Sequence, residues 1–264
     1  MMNITIGQYY PVESIIHRLD PRVKLASTIV YITMLIAVNS LWSYGLTVLA
    51  LCVIIKFSHV PPVYLLRGLR GIFFIIIFTV VLNMFFTPGE VLLQVGALRL
   101  TLEGVIGAAR MCTRLILMIT GSSLLTLTTS PIQLTDAIEY LLKPLRRVGV
   151  PAHEIAMMMT IALRFIPTLF EEMNKIMKAQ MARGADFDTG GLIKKAKSLI
   201  PLLVPLFVSS FRRADELAMA MEARCYRGGE GRTRMKVMRL ERRDYWAIFC
   251  LVFFCFATVF LAPF

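Results

Sequence analysis

Hydrophobic positions in the first part of this chain form long uncharged runs rather than short periodic stripes. The first run, from Leu25 to Ile55, is long for one membrane-spanning helix and short for two. Asn39 interrupts it, and Trp42, a residue type favoured at membrane interfaces, follows. We therefore predict two short spans, 22–39 and 42–57, joined by a tight turn. A single span over this run is the alternative.

Three more uncharged runs predict three more spans. Pro88 ends the run that predicts a span at 70–87, and further spans are predicted at 103–129 and 244–262. Weak alternation of apolar and polar residues between 91 and 101 predicts a small hairpin on the outer side.

Arg110 and Arg114 fall inside the predicted fourth span, one helical turn apart. Arginines inside a membrane are costly and usually face protein or water. They can also lie near the end of a span and extend their side chains to the interface. Both interpretations, an intramembrane polar contact and an interfacial position, remain open at this point.

Three amphipathic helices are predicted between the fourth and last spans, at 131–147, 151–184 and 191–226. We call the second and third of these the two arms. Apolar residues recur along each arm at steps of mostly four and three, the spacing that packs one helix stripe against another. The residues predicted to form this seam, or to pack on a partner, are Ile155, Met159, Ala162, Ile166, Leu169, Met173, Leu203, Leu217 and Met221.

Each arm ends in a short arginine motif. The first reads Ala182-Arg183-Gly184 and the second reads Ala223-Arg224-Cys225. A cation at a helix C-terminus, followed by glycine, is often only a cap. Two such ends on paired amphipathic helices favour a docking role, and capping explains the second end less well because Cys225 replaces the glycine.

Composition places the chain among multi-span membrane proteins, with 57% hydrophobic and only 17% charged residues. The net charge is +12, and most lysines and arginines lie between 131 and 243. This bias predicts a cytoplasmic N-terminus, a cytoplasmic 131–243 and an extracellular C-terminus, without any role for nucleic acid. We therefore predict an all-α membrane protein with a membrane domain at 1–130, a coupling-helix domain at 131–243 and a final span in 244–264.

Residue patterns for catalysis are missing from the sequence. No glycine precedes a lysine, which excludes a Walker A loop, and the three histidines are scattered. The five cysteines form no paired motif. Glu171 and Glu172 are adjacent on a predicted helix, so we interpret them as a solvated face rather than as paired catalytic carboxylates. The chain is expected to bind no cofactor or metal and to catalyse no reaction.

Several motifs together carry a family resemblance: His17-Arg18-Leu19-Asp20-Pro21-Arg22, Arg164-Phe165-Ile166-Pro167 and the two arginine motifs. With the order of spans, arms and final span, they cover essentially the whole chain. The chain resembles the transmembrane T components of energy-coupling factor transporters, which are ATP-driven importers of vitamins and metal ions in prokaryotic cell membranes.

The resemblance implies a partner for each functional part of the chain. Arg183 and Arg224 would dock into grooves on two ABC-type ATPase subunits, identical or different, which hold ATP and Mg. A small hydrophobic S component would bind the substrate and sit against the spans and arms. Cys225 departs from the glycine that is most frequent in the family, which puts the backbone geometry of the second motif in question.

Two other function classes are weighed against this one. A conventional ABC permease that translocates substrate itself needs polar groups across its spans, and these spans offer few. A membrane-embedded lipid enzyme could use Arg110 and Arg114 to hold a phosphate, but the sequence offers no nucleophile or metal cluster. Co-purification of partner chains would distinguish all three classes.

Overall fold

The computed structural model describes residues 9–38, 40–95, 98–185, 187, 191, 193, 197–228 and 238–260. These residues are mostly α-helical, as the apolar pattern predicts, and one two-stranded hairpin accompanies the helices. The chain divides into two compact units. The first unit comprises Met1–Ala137 and Lys236–Phe264, and the second comprises Ile138–Met235.

Five long helices belong to the first unit. They are α1 (Pro21–Ala37), α2 (Leu41–Ser58), α3 (Pro62–Phe86), α4 (Leu102–Thr128) and, at the end of the chain, α8 (Arg242–Phe260). Four of them lie within a few residues of the predicted helices. Asp20 caps the start of α1 by accepting the Arg22 N–H at 2.9 Å, and Pro21 occupies the first turn of the helix.

Helix α3 begins at Pro62, eight residues before the span predicted at 70–87. Pro61 and Pro62 mark the break between α2, which ends at Ser58, and α3. Proline suits the first turn of a helix because the N–H it lacks would have no partner there. Pro61 is held in an extended conformation by the proline that follows it, and so it serves as the residue before the helix.

Close contacts hold these helices together in the first unit. The Tyr31 hydroxyl on α1 donates to the Leu117 carbonyl on α4 at 3.0 Å. Gly121 faces the same ring, and a Cβ there would lie 2.4 Å from Tyr31 Cε1, so only glycine permits this approach. Ser43 on α2 donates to the Thr258 carbonyl on α8 at 3.1 Å.

The hairpin predicted between 91 and 101 is present. Strands β1 (Val91–Val95) and β2 (Leu98–Thr101) pair antiparallel, with Val95 opposite Leu98 and an irregularity near Val91. The hairpin leads directly into α4, where the Thr101 hydroxyl caps the helix by accepting the Gly104 N–H at 3.1 Å.

Helix α5 (Pro131–Leu142) leads from the first unit into the second, and a 3₁₀ segment (Lys143–Val148) follows it. Ser130 and Gln133 start α5 through a reciprocal capping box with contacts of 3.2 and 3.4 Å. The predicted helix at 131–147 is thus α-helical only as far as Leu142 and continues as the tighter 3₁₀ segment. Pro144 explains the change, because it has no N–H to continue the α-helical bonding.

The two arms are α6 (Ala152–Ala182) and α7 (Ile200–Ala223). The first agrees with the predicted 151–184, whereas the second does not run unbroken from 191 to 226. Leu199 lies in a turn, and α7 starts behind it with Pro201 in its first turn, the position that proline tolerates best. Much of 186–196 lies outside the described residues.

By length and composition, three described helices could cross a membrane: α3, α6 and α8. The successive helices α4 and α5 are bent by 108° at their break and would add a fourth span if taken as one. The apolar α2 and the 17-residue α1 are shorter. Helix α6 is the least apolar of the three, and its assignment as a cytoplasmic arm stays a prediction.

Candidate functional site

The two arms pack on each other within the second unit, and a polar contact joins them. Arg213 Nη2 on α7 donates to Glu172 Oε2 on α6 at 3.0 Å, and the Ser209 hydroxyl donates to the other oxygen of the same carboxylate. The Ser209 hydrogen bond, and then the nearby Arg213 charge, lower the pKa of Glu172. Glu172 is therefore ionised at neutral pH and links the arms.

This contact corrects one sequence interpretation. Glu171 is exposed, as a solvated face requires, but its neighbour Glu172 is half-buried against α7. The signal was present, because Glu172 directly precedes the seam residue Met173 and so flanks the stripe. Flanking positions of paired helices commonly carry such ion pairs.

Most of the predicted seam residues are half-buried. They are Ile155, Met159, Ile166, Leu169, Met173, Leu217 and Met221. Ala162 is exposed, and so is Leu203, whereas its neighbour Leu202 is only 5% exposed. In the first turns of α7 the residue that packs inward is therefore Leu202, one position before the Leu203 that the spacing predicted. A partner-packing role for Leu203 stays a prediction.

The first arm ends in a left-handed cap. Arg183 has φ −90° and ψ 8°, and Gly184 follows with φ +87°. The Gly184 N–H donates to the Met181 carbonyl and the Ala185 N–H to the Gln180 carbonyl, each at 3.0 Å. These two bonds satisfy carbonyls that the helix end would otherwise leave open, which is the Schellman arrangement.

The second arm ends in the same geometry in spite of its cysteine. Arg224 has φ −93° and ψ 14°, and Cys225 adopts φ +56°. The Cys225 N–H donates to the Glu222 carbonyl at 2.8 Å and the Tyr226 N–H to the Met221 carbonyl at 3.0 Å. A residue with a Cβ pays a conformational cost in this region. The backbone of the second motif is thus retained in a conformation that glycine adopts more easily.

All six residues of the two arginine motifs are exposed: Ala182, Arg183, Gly184, Ala223, Arg224 and Cys225. Within the described part of the chain, neither Arg183 nor Arg224 has a side-chain hydrogen bond or ion pair. Each guanidinium is therefore presented at a capped helix end with five donors available to an outside acceptor. Capping and docking are compatible here, because backbone groups form the cap and the arginine side chain remains available to bind a partner.

The two arginines of the fourth span have different surroundings. Arg114 donates to the Val38 carbonyl at 3.0 Å and to the Tyr44 hydroxyl at 2.9 Å, and Val38 ends α1. The Val38 carbonyl also accepts from the Tyr44 hydroxyl at 3.1 Å, and a cation at this helix end suits the helix dipole. Arg110 is exposed. Arg114 thus holds the α1–α2 connection, an arrangement that competes with any grip on a lipid phosphate.

No group of three histidine, cysteine, aspartate or glutamate side chains within the described ranges could hold a metal ion. All five cysteines are free thiols. The described residues of the two units offer groups that can bind a partner or join two helices: exposed guanidinium groups, apolar helix faces and a cross-arm ion pair.

Comparisons with known proteins find a matching family and several similar proteins. A family model described as "Cobalt transport protein" (CbiQ) matches residues 12–235. An energy-coupling factor transporter transmembrane protein from Clostridium kluyveri is 58% identical over 260 residues, covering 97% of this chain and 96% of that protein. Proteins of the same description from Thermosediminibacter oceani and Listeria innocua are 57% and 46% identical, each over 92% of both chains.

Proposed function

The chain belongs to the cobalt transport protein (CbiQ) family, together with the transmembrane proteins of energy-coupling factor transporters, and from this premise we propose how its arms work. It is a non-catalytic, multi-pass membrane subunit of a prokaryotic transporter that couples ATP hydrolysis to uptake. We propose that each arginine motif docks one ABC-type ATPase subunit. A small hydrophobic S component then binds the substrate, a vitamin or metal ion, and ATP and Mg are held by the ATPases.

The observation that carries this proposal is the matched geometry of the two arm ends. Arg183 and Arg224 have nearly the same backbone angles, and each is followed by a left-handed residue. Two arm ends with the same backbone geometry suit two ATPase subunits that are identical or similar in structure. Arginine's planar group favours sites lined by carboxylates or carbonyls, so the grooves on the ATPases should offer such groups.

The arms are built to pass a displacement along their length. At a rise of about 1.5 Å per residue, α6 is about 46 Å long and α7 about 36 Å. The seam and the Glu172–Arg213 contact join them between their ends. A change in the distance between two ATPases would therefore turn both arms together and move the surfaces that meet the S component.

We also propose the membrane topology on which this mechanism depends. Helices α1, α2, α3, α4 and α8 form five spans, with 131–243 as a cytoplasmic coupling domain. The N-terminus is then cytoplasmic and the C-terminus extracellular, which agrees with the clustering of positive charge in 131–243. The hairpin of β1 and β2 lies on the outer side.

Affinity purification of the tagged chain from its native membrane tests the proposal. We expect two ATPase chains and one small hydrophobic protein for each copy of the chain, measured by quantitative mass spectrometry. Recovery of ATPases with a second copy of the chain and no small membrane protein would instead indicate a conventional permease. Recovery of no ATPase would refute the coupling function.

A further inference from the structure

A buried group of charged residues lies in the first unit where α1, α4 and α8 come together. We call Asp20, Lys24 and Asp244 the junction cluster. All three are almost fully buried, with Asp244 only 3% and Lys24 only 7% exposed. Buried charges are expensive unless they are paired and hydrogen-bonded, so their contacts indicate what the cluster does.

Lys24 ties α1 to the end of α4. Its ammonium donates to the Thr128 carbonyl and to the His17 carbonyl, each at 2.9 Å. Thr128 is the last residue of α4, so no N–H within the helix donates to its carbonyl. The cation therefore satisfies the carbonyl at a helix end. It also lies close enough to the Asp20 and Asp244 carboxylates to be stabilised by their negative charges.

Asp244 ties α8 to the start of α1. One carboxylate oxygen accepts the Asp20 N–H and the other accepts the Glu241 N–H, both at 2.8 Å. The side chain of Asp20 is itself engaged as the cap of α1. Asp244 needs two acceptor oxygens for these bonds, which asparagine could not supply.

The segment before α1 also contacts the cluster, because the His17 carbonyl accepts from Lys24. Ser14 and the Tyr10 carbonyl contact the two ring nitrogens of His17 at 2.7 and 3.0 Å. Burial lowers the pKa of His17, so the ring is neutral at pH 7, with Nε2 donating to Tyr10. The Tyr10 N–H donates to the Leu127 carbonyl, so this segment is also fixed to the end of α4.

These contacts lie within the first unit, a few residues along the chain from where it enters the second unit after Ala137 and where it returns from it. Thr128 lies just before α5, which leads the chain into the second unit. Glu241 lies just before α8, where the chain has returned to the first unit. Both connections are thus fastened to the start of α1 by one buried, hydrogen-bonded cluster.

We propose that the junction cluster is a positioning element that carries ATPase-driven movement of the coupling domain into α1, α4 and α8. This inference rests on the proposed function, because it needs the arms to receive that movement. Without the cluster the two connections could move freely, and displacement of the arms would no longer reach the membrane helices. Lys24 and Asp244 would then be required for coupling but not for docking of ATPases.

Hydrogen–deuterium exchange on the purified transporter complex, with and without MgATP, tests the proposal. In the unaltered complex we expect MgATP to change exchange in peptides of both arms and in those covering 17–25 and 238–246. In Lys24→Met and Asp244→Asn, the response of the arms should persist while the response at 17–25 and 238–246 is lost. Basal exchange of either the Asp20 or the Glu241 amide should rise about tenfold in Asp244→Asn, because asparagine keeps only one acceptor oxygen and one of the two bonds is lost.

One control separates coupling from folding. Lys56→Met removes an exposed lysine at the end of α2, outside the junction cluster. This variant should retain the MgATP response. The inference is overturned if both cluster variants keep that response, if exchange rises throughout the first unit, or if the unaltered complex shows no response at 17–25 and 238–246. Absence of ATPases from the unaltered complex would instead defeat the proposed function itself.

Discussion

The left-handed residue behind each docking arginine offers a quantitative test, and Gly184→Ala is the sharpest perturbation. A Cβ added at Gly184 would meet no atom within 4 Å, so the substitution introduces no clash. Its cost is the backbone cost alone, because φ is +87° at this position. For a residue with a Cβ this conformation costs about 1–2 kcal/mol.

The reciprocal change at the second arm should act in the opposite direction. Cys225 bears this conformational cost at φ +56°, and Cys225→Gly removes it. Glycine loses more conformational freedom on folding, which offsets about 0.5–1 kcal/mol of the gain. About 0.5–1 kcal/mol of the gain then remains, so we expect Cys225→Gly to tighten docking by no more than about fivefold, since 1.4 kcal/mol corresponds to a factor of ten.

The assay is titration of the purified chain with its ATPases. If the cap presents Arg183, a loss of about 1 kcal/mol should weaken the affinity of one ATPase by up to about fivefold. The matched control is Gly149→Ala, because Gly149 has φ +88°, is equally unobstructed and lies before α6 rather than at an arm end. This control should lower thermal stability by a similar amount and leave docking unchanged. Equal docking by both variants would refute the role of the cap.

Three further predictions follow from individual contacts. Glu172→Ala should cost about 1 kcal/mol of thermal stability because it leaves Arg213 without its partner, whereas the exposed neighbour in Glu171→Ala should cost little; equal melting temperatures would show that the cross-arm contact is weak. Arg114→Leu should lower the stability of the detergent-purified chain by about 2 kcal/mol, because it removes the charged hydrogen bonds to the Val38 carbonyl and the Tyr44 hydroxyl, and Arg110→Leu should not; the reverse order would contradict the contacts found. Phe264→Cys should react with an impermeant maleimide in intact cells, and protection there would mean that a span has been miscounted.

Local signals in the sequence predicted the helices well. The start of α1 follows from Asp20 and Pro21, because capping needs only neighbouring residues. The arm ends follow from the Arg183 and Arg224 motifs for the same reason. Helix α3 starts before its predicted span, and the second arm is not helical without a break from its predicted start. At Pro62 and at Pro201 a proline lies in the first turn of a helix, and that position depends on the backbone of the residues before it.

Contacts between distant parts of the chain could not be predicted in the same way. Asp20 and Asp244 are separated by 224 positions, and nothing in their local patterns indicates that they meet. Arg114 left two interpretations open because its partners, Val38 and Tyr44, lie on other helices. Side-chain partners of this kind depend on how helices pack, which residue spacing within one helix does not specify.

The central claim is that the two arginine motifs dock two ATPases, and co-purification with the Arg183→Glu, Arg224→Glu double variant tests it most directly. Charge reversal places a carboxylate where each groove should offer acceptors, and losing a buried charged contact commonly costs about 2–5 kcal/mol. Each single variant should release one ATPase and the double variant both, while the small substrate-binding protein stays associated. The exposed arginines in Arg212→Glu and Arg239→Glu serve as controls and should retain both ATPases. Full retention of both ATPases by the double variant would reduce these motifs to helix caps and contradict the account.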